Sequence, residues 1–320
     1  MMAKTAKTGL RITASCWLLL SIWACGRGEE DAPPPPPPPP LEALVEAKVL
    51  AHRLRIGPRP MIVDSRRHAD YLKKHVAGSF SLPLPNLRMA SDGSLHEESV
   101  AEFNRLLAPS GLRPEHIIVA VDEGSIEGFS RAATTCWLLA TAGAGHCLVL
   151  DGGIDAWLEI HGPTQQRTNT ESKTSSTLRI RSRPPQSARL EEVRRVTVEA
   201  GGTVVDVRSA PMERTIPGAV RAPILSAIRP DGRIDTEIAR DIALRSGLLL
   251  DTEQLALGES LRDGAAGWFL ISRVLGIGYV RLFPGGFIAL RTYSNLPLVE
   301  RPLTSESLND RGLDVGRDRP

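Results

Sequence analysis

The feature that most limits how this 320-residue chain can fold is an internal repeat. One copy opens with Met61-Ile-Val-Asp-Ser-Arg66 and the other with Thr203-Val-Val-Asp-Val-Arg208, and both are β-rich runs that end in Asp-x-Arg. Further on, an Ala-Ala pair precedes a Gly-Gly pair by 20 residues in each copy, from Ala132 to Gly152 and from Ala265 to Gly285. This shared order and spacing predicts two copies of one structural unit.

Each copy alternates short apolar runs with helical segments. Residues 117–121 and 255–257 are typical of buried strands, whereas residues 99–107 and 131–142 are typical of helices, and we expect a helix to begin near each Ala-Ala pair. Such alternation is characteristic of α/β units around a parallel sheet. We therefore predict two α/β domains, each a mostly parallel sheet flanked by helices.

Composition excludes several classes of protein. The chain has 39 Lys and Arg against 37 Asp and Glu, a net charge of +2, which lacks the basic surplus of a nucleic-acid-binding domain. With 42% hydrophobic and 24% charged residues, the chain is not wholly disordered. Its four cysteines are too few for a disulfide scaffold, and its seven histidines do not lie at zinc-ligand spacing from a cysteine cluster. We expect no nucleic-acid partner, no metal and no cofactor.

The N-terminus is typical of a bacterial export signal. Residues 1–24 combine the basic residues Lys4, Lys7 and Arg11 with an apolar run, and they end in a segment before Cys25 that looks like a lipobox. We predict a lipid on Cys25 that holds the protein at the cell envelope facing the periplasm. Gly26 slightly favours the outer membrane, and the alternatives are simple secretion or an uncleaved anchor.

The remaining segments divide the chain. Eight prolines at 33–40 predict an extended stalk within residues 25–44, or alternatively a proline-rich ligand for a partner domain. We predict a first domain at 45–162, a polar, solvated linker at 163–186, a second domain at 187–300 and a polar tail at 301–320.

Several short motifs resemble those of the rhodanese domain. In the first copy they are Ile62-Val-Asp-Ser-Arg66, Tyr71 with His75-Val-Ala-Gly78, and Val149-Leu-Asp-Gly-Gly-Ile-Asp-Ala-Trp157; in the second they are Val205-Asp-Val-Arg208, Ile216-Pro-Gly-Ala219 and Leu282-Phe-Pro-Gly-Gly-Phe287. Over residues 45–300 the arrangement is similar to the tandem-domain thiosulfate and 3-mercaptopyruvate sulfurtransferases. The resemblance implies sulfur transfer through a cysteine persulfide.

The signature residues have a structural interpretation. We expect Asp64 with Arg66, and Asp206 with Arg208, to lock a loop through charge-assisted hydrogen bonds. The Gly-Gly pairs are expected to form tight turns, with phosphate binding as the weaker alternative.

The cysteine that the resemblance requires is missing. In the family it opens a short loop before a helix, and the second copy normally carries it. Here that loop is predicted to consist of Gly258, Glu259, Ser260, Leu261, Arg262, Asp263 and Gly264, and the resemblance implies a cysteine at the position of Gly258 or of Glu259. The first-copy loop begins at Asp122, and no cysteine follows Cys147. The acidic side chains of both loops would also oppose binding of a thiosulfate dianion.

Two other cysteines, Cys136 and Cys147, lie in apolar segments and are interpreted as buried small hydrophobes. The alternatives are a disulfide between them or a reactive thiol. Ser260 has no histidine near it in the sequence that would activate it. We therefore predict no catalytic residue and a role in binding or scaffolding, with an unidentified protein or a small anion as partner. The alternative is a sulfurtransferase that works through Cys136 or Cys147; hydrolysis on the same scaffold lacks a recognisable acid–base pair.

Overall fold

The structure, a computed structural model, describes residues 42–167, 174–199, 202–209, 214–248, 252–296 and 298–300. The predicted signal, Cys25, the proline run and the tail lie outside the described residues. Those that are described belong to one unit, Pro38–Pro320. Within these ranges, none of the helices has the length and apolar character needed to span a membrane.

The first half, residues 42–167, is built on a five-stranded sheet. Its elements are, in chain order, β1 (Leu44–Val45), α1 (Ala47–Arg55), β2 (Met61–Asp64), α2 (His68–Lys73), β3 (His75–Val76), β4 (Phe80–Ser81), α3 (Glu97–Leu107), β5 (Ile117–Val121), α4 (Ile126–Thr141), β6 (His146–Leu150), α5 (Gly153–Glu159) and β7 (Thr164–Gln165). The sheet has the order β1-β6-β5-β2-β4, and all its pairings are parallel. Strands β3 and β7 form a separate antiparallel pair.

The second half, residues 187–300, is built on a four-stranded sheet. Its elements are α6 (Leu190–Glu199), β8 (Thr203–Asp206), β9 (Arg214–Thr215), β10 (Val220–Arg221), α7 (Thr236–Arg245), β11 (Gln254–Leu257), α8 (Leu261–Phe269), β12 (Val280–Leu282), α9 (Gly286–Tyr293) and β13 (Val299–Glu300). A π-helical turn, Leu270–Val274, continues α8. The sheet has the order β10-β8-β11-β12 and is parallel throughout, while β13 pairs with β9.

The two sheets repeat one topology. The order β6-β5-β2-β4 in the first matches β12-β11-β8-β10 in the second. A parallel bridge between Ser187 and Leu282 also lies beside β12, where β1 lies beside β6 in the first sheet. The predicted α/β fold with parallel sheets is therefore confirmed.

Helix α4 packs against α8, and this contact joins the two halves. The ring of Phe129 meets that of Phe269 edge to face, with 5.9 Å between centroids. Nearly every residue of α4 from Gly128 to Thr141 is buried, because the helix lies between its own sheet and the other half. One apolar core consequently runs through both halves.

Part of the predicted linker is not solvated. Leu178 and Ile180 are buried, at 2% and 3% exposure. The Asn104 side chain donates to the carbonyl of Ile180 at 3.0 Å and accepts from its amide at 2.9 Å. Thr164–Gln165 forms β7 on the first half. The prediction was wrong here because two apolar side chains in a polar run suffice to hold the segment against the first half.

Candidate functional site

Each half has a buried Asp-x-Arg pair at the carboxyl end of its first long strand. In the first half, Arg66 Nε donates to Asp64 Oδ1 at 3.0 Å and Nη2 donates to Oδ2 at 2.7 Å. In the second half, the corresponding distances between Arg208 and Asp206 are 2.8 and 2.7 Å. These are bidentate, charge-assisted pairs, and each fixes the backbone at the carboxyl end of its strand.

In the first half, Asp122 occupies the position where the family resemblance expects the nucleophile. Its carboxylate is buried and accepts a hydrogen bond from the Ser65 hydroxyl at 2.6 Å and from Arg131 Nη2 at 2.6 Å. Arg131 also contacts the carboxylate of Glu123. Burial raises the pKa of Asp122, and the hydrogen bonds from Arg131 and Ser65 oppose that shift. The acidic charge of this loop is therefore matched by an arginine of α4.

The backbone N–H groups of the first loop are also occupied. Glu123 N donates to Asp122 Oδ1 at 2.8 Å, and Gly124 N donates to Asp155 Oδ2 at 3.0 Å. Ser125 N donates to the carbonyl of Glu123 at 3.0 Å. Amides at such a turn could bind an anion, and here two carboxylates of the chain itself take that place. Sequence reasoning missed Asp155, although it lies within the Gly-Gly-Ile-Asp-Ala-Trp motif.

In the second half, Gly258 is the counterpart of Asp122. Phe287 N donates to the Gly258 carbonyl at 2.8 Å, and Ile154 N donates to the Asp122 carbonyl at 2.7 Å. Gly258 is in contact with the start of the following helix. A Cβ atom at position 258 would overlap the backbone nitrogen of Gly264 and lie 2.7 Å from the carbonyl carbon of Asp263. Any side chain there, including cysteine, requires the backbone to move.

The second loop is shorter than predicted. Leu261, Arg262, Asp263 and Gly264 form the first turn of α8, so the connection between β11 and the helix is Gly258, Glu259 and Ser260. Ser260 caps the helix, and its hydroxyl and amide both donate to Asp263 Oδ2, at 2.9 and 3.1 Å. This capping box starts the helix early. Ala265-Ala266 therefore lies inside α8 rather than at its start, and Ala132-Ala133 likewise lies inside α4, whose N-cap is Ser125.

Glu259 does not present a free negative charge. Its carboxylate accepts from Arg208 Nη1 at 3.1 Å and from Arg291 Nη2 at 2.6 Å. The Arg208 guanidinium also lies over the Phe287 ring, 3.7 Å from its centroid. The expected surplus of negative charge at this loop is therefore wrong, because the arginines that neutralise Glu259 are distant in the sequence.

A hairpin from each half contacts the other half. The first turns at Asp92-Gly93 and the second at Asp231-Gly232. A Cβ atom on Gly232 would lie 2.7 Å from the amide nitrogen of Ser125, whereas one on Gly93 would overlap the ring of Phe283. The first loop is consequently in contact with the second half, and the turn after β12 is in contact with the first half.

Cys136 and Cys147 form a disulfide, with 5.2 Å between their Cα atoms. Both are buried, as predicted, but the preferred interpretation of two separate small hydrophobes is wrong. Cys136 lies on α4 and Cys147 on β6, which pack together, so the two sulfurs meet. Among the described residues there is no other cysteine and no group of three potential metal ligands.

Removing this disulfide should destabilise the fold. Replacing both Cys136 and Cys147 by alanine is expected to lower the free energy of unfolding by about 2–3 kcal/mol, because the bridge closes a short loop in the unfolded chain. Urea unfolding with and without a reductant measures this. Reductant should lower the free energy of unfolding of the parent protein to that of the variant and should not change that of the variant. An unchanged free energy of unfolding in the parent protein after its disulfide has been reduced would contradict the prediction.

Comparison with known proteins gives a family match for the first half. Residues 46–160 match the model of the family described as the rhodanese-like domain. This part of the chain is similar to the rhodanese-like domain. The match ends at residue 160, before the second half begins.

One similar protein is "Putative thiosulfate sulfurtransferase SseB" of Mycobacterium tuberculosis. It is 29% identical over 132 residues, which are 38% of this chain and 45% of SseB. The chain thus spans less than half the length of this curated relative.

Two solved structures extend the similarity of fold. SseA from Escherichia coli is described as a 3-mercaptopyruvate sulfotransferase and matches with a TM-score of 0.60 at 20% sequence identity. The alignment covers 77% of this chain and 99% of the SseA chain. Wild-type EanB matches with a TM-score of 0.65 at 17% sequence identity, and the alignment covers 80% of this chain and 68% of the EanB chain. These identities are evidence of fold alone. The chain has the α/β rhodanese fold.

Proposed function

We propose that this chain is a tandem rhodanese-like protein that has no sulfurtransferase activity and that binds a protein partner as a scaffold at the cell envelope. The observation that carries the proposal is the occupation of both places where a persulfide would be held. At the first, the Asp122 carboxylate accepts hydrogen bonds from Arg131 and Ser65. At the second, the backbone of α8 lies where a side chain on Gly258 would project.

The tandem arrangement is supported by the repeated strand order of the two sheets. It is also supported by the match to SseA, which covers 99% of that protein and 77% of this chain. The match of the family model to residues 46–160 supports the first domain. For the second domain, the paired Asp206 and Arg208 and the contact of Phe287 with Gly258 repeat the contacts of the first.

A protein partner is favoured over a small anion at these loops. The anion-binding amides of Glu123 and Gly124 already face carboxylates of the chain, and the amide of Ser260 faces Asp263. A free anion would have to displace these carboxylates and would meet their negative charge. The occupied amides therefore favour a protein partner over a small anion.

The location at the envelope rests on the sequence before residue 42. The lipobox-like segment ending at Cys25 supports lipid attachment, and the proline run supports a stalk that holds the folded part away from the membrane. The disulfide between Cys136 and Cys147 supports an oxidising compartment such as the periplasm.

The alternative is a sulfurtransferase that uses Cys136 or Cys147. One structure of an EanB variant carries a persulfide on a cysteine, so the fold supports such chemistry elsewhere. In this chain the two sulfurs are bonded to each other and buried. A sulfur donor would therefore require both reduction and exposure of the bridge.

Mass spectrometry of the intact protein tests the proposal. The chain from Arg27 to Pro320 would be treated with thiosulfate or 3-mercaptopyruvate, before and after reduction, beside the variant with Cys136 and Cys147 replaced by serine and beside SseA as a positive control. We expect no mass gain of a sulfur atom in the folded chain under either condition. A sulfur adduct on the reduced parent protein that the double variant lacks would establish the alternative.

A further inference from the structure

A cavity of about 870 Å³ lies at the amino end of β2, in the rhodanese-like domain. Helix α1, the start of β2 and the turn after α5 enclose it. Asp122 follows β5 at the opposite end of the sheet, because β2 and β5 are parallel and Asp64 is in register with Val121. The cavity is therefore separate from both loop regions, and ligand binding in it does not depend on the proposed loss of sulfur transfer.

The polar part of the cavity is positively charged. Lys48, Arg55 and Arg59 line it and are exposed, and within the described chain none of the three forms an ion pair. The carboxylate of Glu159 also lines the cavity, but it accepts a hydrogen bond from Arg233 Nη2 at 2.5 Å. Three cations thus line the cavity, and the one carboxylate in its lining is paired with Arg233, which also pairs with Asp231.

Apart from His161, most of the remaining wall is apolar. Leu54 from α1, Met61 and Ile62 from β2 and Ile160 after α5 supply aliphatic surface. The turn that follows Ile160 is held in place because Trp157 Nε1 donates to the Pro163 carbonyl at 3.0 Å. Aliphatic surface combined with a few charged groups, in a cavity of this size, is typical of sites for small organic molecules.

We propose that this cavity binds a small amphipathic carboxylate, with its apolar body against Leu54 and Ile62 and its carboxylate beside Arg55 and Arg59. A purely apolar molecule would leave the cations without a partner, and a small inorganic anion would leave the aliphatic wall uncovered. An arginine pair can bind a carboxylate with two hydrogen bonds, which gives the charged group more affinity than an exposed lysine alone.

Isothermal titration calorimetry with decanoate, below its micelle concentration, tests this on the chain from Arg27 to Pro320, which retains every residue that the structure describes. Decanol and acetate report on the apolar body and the carboxylate separately. The variant Arg55→Gln with Arg59→Gln removes the charge, and Ala51→Phe fills the cavity without removing a charge. Arg113→Gln is the matched control, because Arg113 is an exposed arginine of the same domain outside the cavity.

We expect saturable binding of one decanoate, with decanol and acetate each at least tenfold weaker. The double arginine variant and Ala51→Phe should each weaken binding about tenfold or more, while Arg113→Gln should not change it. Thermal unfolding would verify that all variants are folded. Absence of saturable decanoate binding, equal binding of decanol or acetate, or binding that survives both cavity variants would overturn the proposal.

Discussion

Replacing Arg208 by alanine is expected to lower the free energy of unfolding by about 3–5 kcal/mol, the usual cost of removing one partner of a buried ion pair. Arg208 is 3% exposed and holds Asp206 through two hydrogen bonds, while it also contacts Glu259 and covers Phe287. Its loss leaves the buried Asp206 carboxylate without its cation and removes the link between β8 and the second loop. Urea unfolding followed by circular dichroism measures the change.

The control for this prediction is a surface pair of the same kind. Arg245 pairs with Asp241 at 2.9 Å, but its side chain is 79% exposed. Arg245→Ala should cost no more than about 1 kcal/mol, as exposed pairs usually do. If Arg208→Ala lowers the free energy of unfolding no more than Arg245→Ala does, then the pair of Asp206 and Arg208 does not organise the second loop.

Placing a cysteine at position 258, one of the two positions at which the family resemblance expects it and the structural counterpart of Asp122, should disrupt the fold and give no sulfur transfer. Gly258→Cys is expected to cost about 3 kcal/mol, because its Cβ atom would overlap the Gly264 backbone. Gly258→Ala is the matched control, since it adds the same Cβ atom without a thiol. The two variants should lose similar stability in urea unfolding.

The two variants also separate steric from chemical effects. A cysteine at 258 that leaves the stability unchanged would show that the loop can open to admit a side chain. Uptake of sulfur from thiosulfate by Gly258→Cys would further show that the second loop can stabilise a persulfide on the introduced cysteine. Either result would contradict the close contact between Gly258 and the first turn of α8.

Much of the fold could be predicted from local sequence patterns. Ile117–Val121 was predicted with the bounds that the structure shows, because a run of buried aliphatic residues in a parallel sheet is continuous in sequence. The duplicated Asp-x-Arg and Gly-Gly motifs likewise predicted two similar sheets, since each pair lies at one strand end. These features depend on neighbours in the chain.

Features that depend on distant residues were not predicted. Asp155 binds the amide of Gly124, 31 residues away, and Gly232 packs on Ser125 from the other half of the chain. No pattern near either loop indicates these contacts. The capping box of Ser260 and Asp263 is different, because its Ser-x-x-Asp spacing is present in the sequence, and it would have predicted the early start of α8.

The initial rate of sulfur transfer to cyanide tests the central claim most directly. It would be measured with thiosulfate and with 3-mercaptopyruvate on the chain from Arg27 to Pro320, with and without reductant, beside its Cys136→Ser, Cys147→Ser variant and SseA. We predict a rate equal to that of the double variant at every donor concentration, because neither loop has a place for a persulfide. A rate that saturates with donor, and that the double variant lacks, would contradict this account and assign the chemistry to the disulfide cysteines.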